Sequence, residues 1–169
     1  MDFRNLLLVE QPNRDFGHTM MRQFLFDAWH IEMLSALKGH DHEQISAIAE
    51  KSLKEVTYHA ERSADTVIAL GDGTEESHTR MQAALDRLWP YVGEMFLSDD
   101  VDRAVYDPAP LREAFDARIN AVLTEATLTR PDSDFAHKGG KTGVRHTEHL
   151  GHMLAVMQFL PRAYPDAQW

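Results

Sequence analysis

The chain has 169 residues, no cysteine and a formal net charge of −10, with 43% apolar and 26% charged residues; this fits one folded domain with a sizeable core rather than a disordered chain. Without cysteine it has no disulfides, thiolate metal ligands or cysteine nucleophile, and the acidic balance disfavours nucleic acid as a partner, because phosphates need a basic surface. No apolar run approaches the ~20 residues that span a bilayer, so no membrane association is expected, and Met1-Asp2-Phe3-Arg4 lacks the cationic and apolar pattern of a secretory signal.

Helical periodicity dominates. After a Gln11-Pro12-Asn13 turn, Met20, Phe24, Asp27, Ile31 and Leu34 recur at three- and four-residue steps, and Gly39 is placed to stop that helix. Asp41 followed by Gln44 predicts a capped second helix. Its core stripe reads Ile45, Ile48, Ser52, Val56, His59, Ser63, Val67 and Leu70, closed by Gly71. Thr74 with Glu75-Glu76 opens a third, lined by Met81, Leu85, Leu88, Val92 and Met95, which Pro90 should kink or locally unwind.

Ser98-Asp99-Asp100 leads into a minor helical piece. Asp107-Pro108 then reads as cap and first turn of a fourth long helix carrying Leu111, Phe115, Ile119, Val122 and Leu123. From Thr129 to Arg145 the chain is polar and glycine-bearing, and structureless loops of that length are often functional. A last helix from about Thr147 places Leu150, Leu154, Met157 and Leu160 on one side. With no repeat and no convincing linker, residues 1–169 read as a single all-α domain.

Two groups of residues carry chemistry worth testing. Asp27 falls on a core-facing stripe, and Glu55 and His59, four apart, share a face of the second helix. A buried carboxylate needs a partner, which is another side chain or a metal. Di-iron bundles use Glu-x-x-His on facing helices; here the spacing is Glu-x-x-x-His, which turns the histidine by roughly 100°, so a hydrogen-bonded polar cluster is favoured over a metal site. The second group is His137 to His149, where Lys138, Lys141, Arg145 and His146 form a local basic run around Gly139, Gly140 and Gly143. Backbone N–H groups and cations there would suit the phosphates of a ligand such as coenzyme A, or the loop is ordered at a protein interface. It is not a Walker A motif. His146, His149 and His152 lack zinc-protease spacing and read as polar residues at a helix start; no nucleophile elbow exists, and the methionines sit at core positions.

The segment Phe3-Arg4-Asn5-Leu6-Leu7-Leu8-Val9-Glu10-Gln11-Pro12-Asn13 resembles the entry to a core helix in the C-subunit (PaaC) family of bacterial phenylacetyl-CoA epoxidase. Phe26-Asp27-Ala28-Trp29-His30, Lys54-Glu55 through Tyr58-His59, Gly71-Asp72-Gly73-Thr74, His146-Thr147-Glu148-His149-Leu150-Gly151, Met153 to Gln158 and Trp169 continue the resemblance in order, over essentially the whole chain. It implies a ferritin-like helical bundle in a cytoplasmic complex that epoxidises the ring of phenylacetyl-CoA with oxygen and NADPH. It further implies that the di-iron centre lies in a partner, the catalytic A subunit, and that this chain is a non-catalytic structural partner without a cofactor of its own. Asp27, Glu55 and His59 are then remnants of ligand positions. Family members carry a further N-terminal stretch with the first core helices, so the present chain is expected to read as a truncated bundle that self-associates when no partner covers it. The competing readings are a self-sufficient metal-dependent oxygenase or ferroxidase, and a ferritin-like interaction protein.

Overall fold

The computed structural model describes residues 3–133 and 135–168; Met1, Asp2, Asp134 and Trp169, the last of them part of the sequence resemblance, lie outside the described residues. Every regular element among the described residues is helical. Among these residues seven α-helices run α1 Phe16–Leu37, α2 Glu43–Gly71, α3 Glu75–Leu88, α4 Asp100–Val105, α5 Leu111–Glu125, α6 Glu148–Met157 and α7 Phe159–Ala163. The described residues also form short 3₁₀ turns, one ahead of α1 at Leu7–Glu10 and two between α3 and α4 at Trp89–Tyr91 and Gly93–Phe96. The α1 helix is the central member and packs against α2, α3 and α5.

Local sequence accounts for most boundaries. Asp15 accepts from His18 N–H at 2.8 Å to cap α1, and Gly39, at φ +90°, takes the left-handed turn that ends it. Thr74 and Ser77 form a reciprocal capping box on α3. As expected, Pro90 ends the α-helical hydrogen bonding at Leu88, and the chain continues as 3₁₀ turns with Val92 and Met95 still buried. The α5 helix ends in a Schellman motif: Leu128 N–H donates to Leu123 O (2.9 Å) and Thr127 N–H to Thr124 O (3.2 Å). This puts Thr127 at φ +57°, a conformation that a β-branched residue adopts only under constraint. The constraint is visible. The Thr127 hydroxyl reaches the Gly71 carbonyl, which also accepts from His78 Nδ1 at 2.8 Å.

Some expectations need correction. Asp41 does not cap α2; the helix begins after His42, and no side chain bonds its first turn. Asp107 is likewise displaced, because α5 starts only at Leu111, after the Pro108–Pro110 turn. The buried stripe of α2 is Ala49, Val56, Ala60, Ser63, Val67 and Gly71. Val56, Ser63 and Val67 are buried as the stripe predicts, but Ala49 and Ala60 take buried positions that a stripe drawn through larger side chains passes over, and at Gly71 a Cβ would sit 2.5 Å from Ala126 O. Ile48 and His59 face outward. On the last helix only Leu150 is buried, whereas Met157 and Leu160 are exposed.

Candidate functional site

The polar group on α1 and α2 separates into two parts. Asp27 is 1% exposed and is fully engaged by its neighbours: Gln23 Nε2 donates to Oδ1 (2.6 Å) and Ser63 Oγ to Oδ2 (2.9 Å). Burial pushes its carboxyl above the ordinary value, against those two hydrogen bonds and the pull of His59 and His30. Burial also lowers the His30 imidazole, with Asp27 opposing. Contrary to the stripe reading, Glu55 and His59 point to solvent, with side chains 76% and 46% exposed and 3.9 Å apart. Among the described residues no three His, Asp or Glu side chains are arranged to hold a metal ion. Among the described residues Asp27, Glu55 and His59 thus do not come together as a metal-ligand set.

A carboxyl raised by burial makes folding less favourable wherever the unfolded chain is already ionised, which is above the ordinary aspartate value of 3.8. Asp27→Asn should therefore stabilise the protein at pH 7 by about 1 kcal/mol. The new amide can donate to Ser63 Oγ, whose own hydroxyl already reaches Ala60 O at 3.2 Å. Urea titrations of both proteins should show the gain at pH 7 and lose it below pH 3.8.

The basic loop is built on two buried glutamates that sequence reasoning missed. Glu94, 1% exposed, is delivered by the Gly93–Phe96 turn. Its Oε1 accepts from Gly139 N–H (2.7 Å) and Lys141 N–H (3.2 Å), and its Oε2 from Leu7 N–H (2.8 Å). Glu10, at the end of the first 3₁₀ turn, accepts from Asn5 Nδ2 (2.7 Å) and His146 Nδ1 (2.6 Å) on Oε1, and from Thr147 N–H (2.7 Å) on Oε2. Burial pushes the Glu10 carboxyl up, but the bonds from Thr147, His146 and Asn5 together outweigh it and hold it below its ordinary value. The available signal was a lone acid inside an apolar stretch, Trp89 to Leu97 around Glu94 and Leu6 to Pro12 around Glu10.

These anchors divide the four basic residues of the loop. Lys141 turns inward, with Nζ 2.7 Å from Leu97 O and 2.5 Å from Asp102 Oδ2. His146 is held by Glu10. Lys138 and Arg145 stay exposed and line a cleft of about 540 Å3, together with Thr142, Val144, Leu97 and Asp99. Gly140 is buried where the loop crosses the N-terminal segment, and a Cβ there would sit 2.5 Å from Asn5 O. What the arrangement offers is a shaped cleft with two outward cations on a loop fixed by carboxylates.

Helices gathered around a central α1, with every regular element among the described residues helical, make a ferritin-like helical bundle. The chain belongs to the phenylacetic acid catabolic protein family, which matches residues 1–169. It is 43% identical over 173 aligned positions to the C subunit of 1,2-phenylacetyl-CoA epoxidase from Escherichia coli (strain K12), an alignment covering 99% of this chain and 69% of that protein. No helix among the described residues is long and apolar enough to cross a membrane.

Proposed function

We propose that this chain acts as a structural C-type component of a multicomponent phenylacetyl-CoA epoxidase in phenylacetate breakdown, in the cytoplasm, holding a di-iron catalytic A subunit rather than performing the chemistry. The observation that carries this reading is 43% identity to an epoxidase C subunit over nearly the whole chain. The side-chain geometry supports it: Asp27 is satisfied within the bundle, and Glu55 and His59 do not converge on it as ligands. Di-iron, oxygen and NADPH belong on this reading to the partner subunits. Exposed apolar residues such as Met157, Phe159 and Leu160 favour self-association when the partner is absent.

The test is co-elution with the A subunit. The two should form a complex with a Kd of about 1 μM or tighter, and no complex at that concentration would end this assignment. Stoichiometric iron in this chain alone, lost on Glu55→Ala, would instead favour the self-sufficient oxygenase or ferroxidase. Within the assembled enzyme, the outward Lys138 and Arg145 are placed to meet phosphates of a CoA thioester near the boundary between the subunits. Replacing both with alanine should raise KM for the thioester about tenfold with little change in kcat. An unchanged KM with assembly intact makes the loop an interface only.

A further inference from the structure

The geometry points to a pH-sensitive clasp: His146 holds the C-terminal helices to the N-terminal segment only as a doubly protonated imidazolium. Both ring nitrogens face oxygen acceptors. Nδ1 lies 2.6 Å from Glu10 Oε1, and Nε2 lies 2.9 Å from the Phe3 carbonyl. A carbonyl oxygen can only accept, and Glu10 Oε1 already accepts from Asn5. A neutral imidazole has one N–H and one lone pair, so on deprotonation one nitrogen must point its lone pair at an oxygen, and one of the two bonds breaks.

The surroundings make that loss consequential. The charged groups facing His146 from other elements are Glu10, on the Leu7–Glu10 turn, and Glu94, on the Gly93–Phe96 turn. Arg4, beside Phe3, is exposed, as are Arg145 and Glu148 on the ring's own segment. The hydrogen bond to Glu10 raises the His146 pKa above its ordinary 6.5; burial opposes it, while the Phe3 carbonyl and the charges of Glu10 and Glu94 add to it. Beyond the His146 ring, the α6 N-cap keeps the Thr147 N–H bond to Glu10 Oε2 (2.7 Å), α6 commits only Leu150 to the core, and α7 commits no residue. Isolated helices of 10 and 5 residues are marginal in water, so their order depends on this anchor. Asn5 N–H also donates to Gly140 O at 3.2 Å, which ties the cleft-lining loop to the same event.

The sign follows from linkage. A histidine whose folded pKa is raised contributes stability that is complete below its unfolded value of 6.5 and is lost as pH rises through the folded value. Glu10, held low, contributes above its unfolded value of 4.5 and is lost as pH falls through its folded value. The clasp is therefore firmest between these two limits and loosens on the alkaline side through His146.

The experiment is NMR on the full chain. His146 ring nitrogens are titrated, and amide exchange of Glu148–Met157 is followed from pH 6 to 9, corrected for intrinsic rates, with α1 amides as the internal reference. His146 should remain protonated on both nitrogens past pH 6.5. As the ring titrates, protection of α6 should fall about tenfold for every pH unit that separates the measured folded pKa from 6.5, while α1 is unaffected. In His146→Gln, α6 protection should be low at every pH. A ring that titrates at or below 6.5, or α6 protection that tracks α1 through the titration, overturns the proposal. The wild-type measurement decides the matter even where the variant fails to fold.

Discussion

Replacing Glu94 with alanine should destabilise the chain by about 3 kcal/mol, since each buried donor left without an acceptor costs roughly 1–3 kcal/mol. Three backbone N–H groups lose their partner at once: those of Leu7, Gly139 and Lys141. Water entering from the adjoining cleft can recover part of the loss at Gly139 and Lys141, but Leu7 is buried. Glu94→Gln separates charge from geometry. Its amide oxygen can serve the loop donors, but its NH2 then confronts the Leu7 N–H, so roughly half of the effect should remain on the same reasoning. The check is a urea midpoint lowered by roughly 1.5 M for alanine with an unchanged slope.

Phe115→Ala should cost about 3–5 kcal/mol, the usual range for emptying a fully buried aromatic site. Phe115 is 0% exposed, and its ring lies 5.0 Å from Phe96 at an interplanar angle of 60°. The Phe96 ring also carries the Arg112 guanidinium, 5.1 Å from its centroid. Phe96 ends the same 3₁₀ turn that presents Glu94, so the two substitutions act on one element. The double variant should lose less than the sum of the single losses, by at least about 0.5 kcal/mol. Independent losses in a denaturant cycle would show that α5 packing does not set the position of Glu94.

What could be read in the sequence follows from what is local. Thr74 and Ser77, or Pro90 after Leu88, act within one turn of the chain, and those boundaries appear where the residues place them. The core residues of α3 and α5 appear because large side chains at helical spacing have one apolar side. On α2 the stripe holds at Val56, Ser63 and Val67 but misses Ala49 and Ala60, residues that signal close approach rather than hydrophobicity. At the site, the basic loop was visible by composition, but the fate of each cation was not. Lys141 and His146 are turned inward by Asp102 and Glu10, and the His146–Glu10 pair spans 136 residues. Contacts at that separation leave no periodic trace.

That separation also sets an order of events during synthesis. The Leu7–Glu10 turn is made well before the groups that satisfy Glu10, which arrive with His146 and Thr147. At roughly 5–20 residues per second, 136 residues correspond to a delay of roughly 7–27 s. Throughout that interval Glu10 stays hydrated and Leu7 lacks its place against Gly140, while α1, α2 and α3 already have their mutual partners. The Leu7–Glu10 turn is thus finished long after it is made, and a ribosome-bound chain stopped short of His146 would carry packed helices with this turn still open.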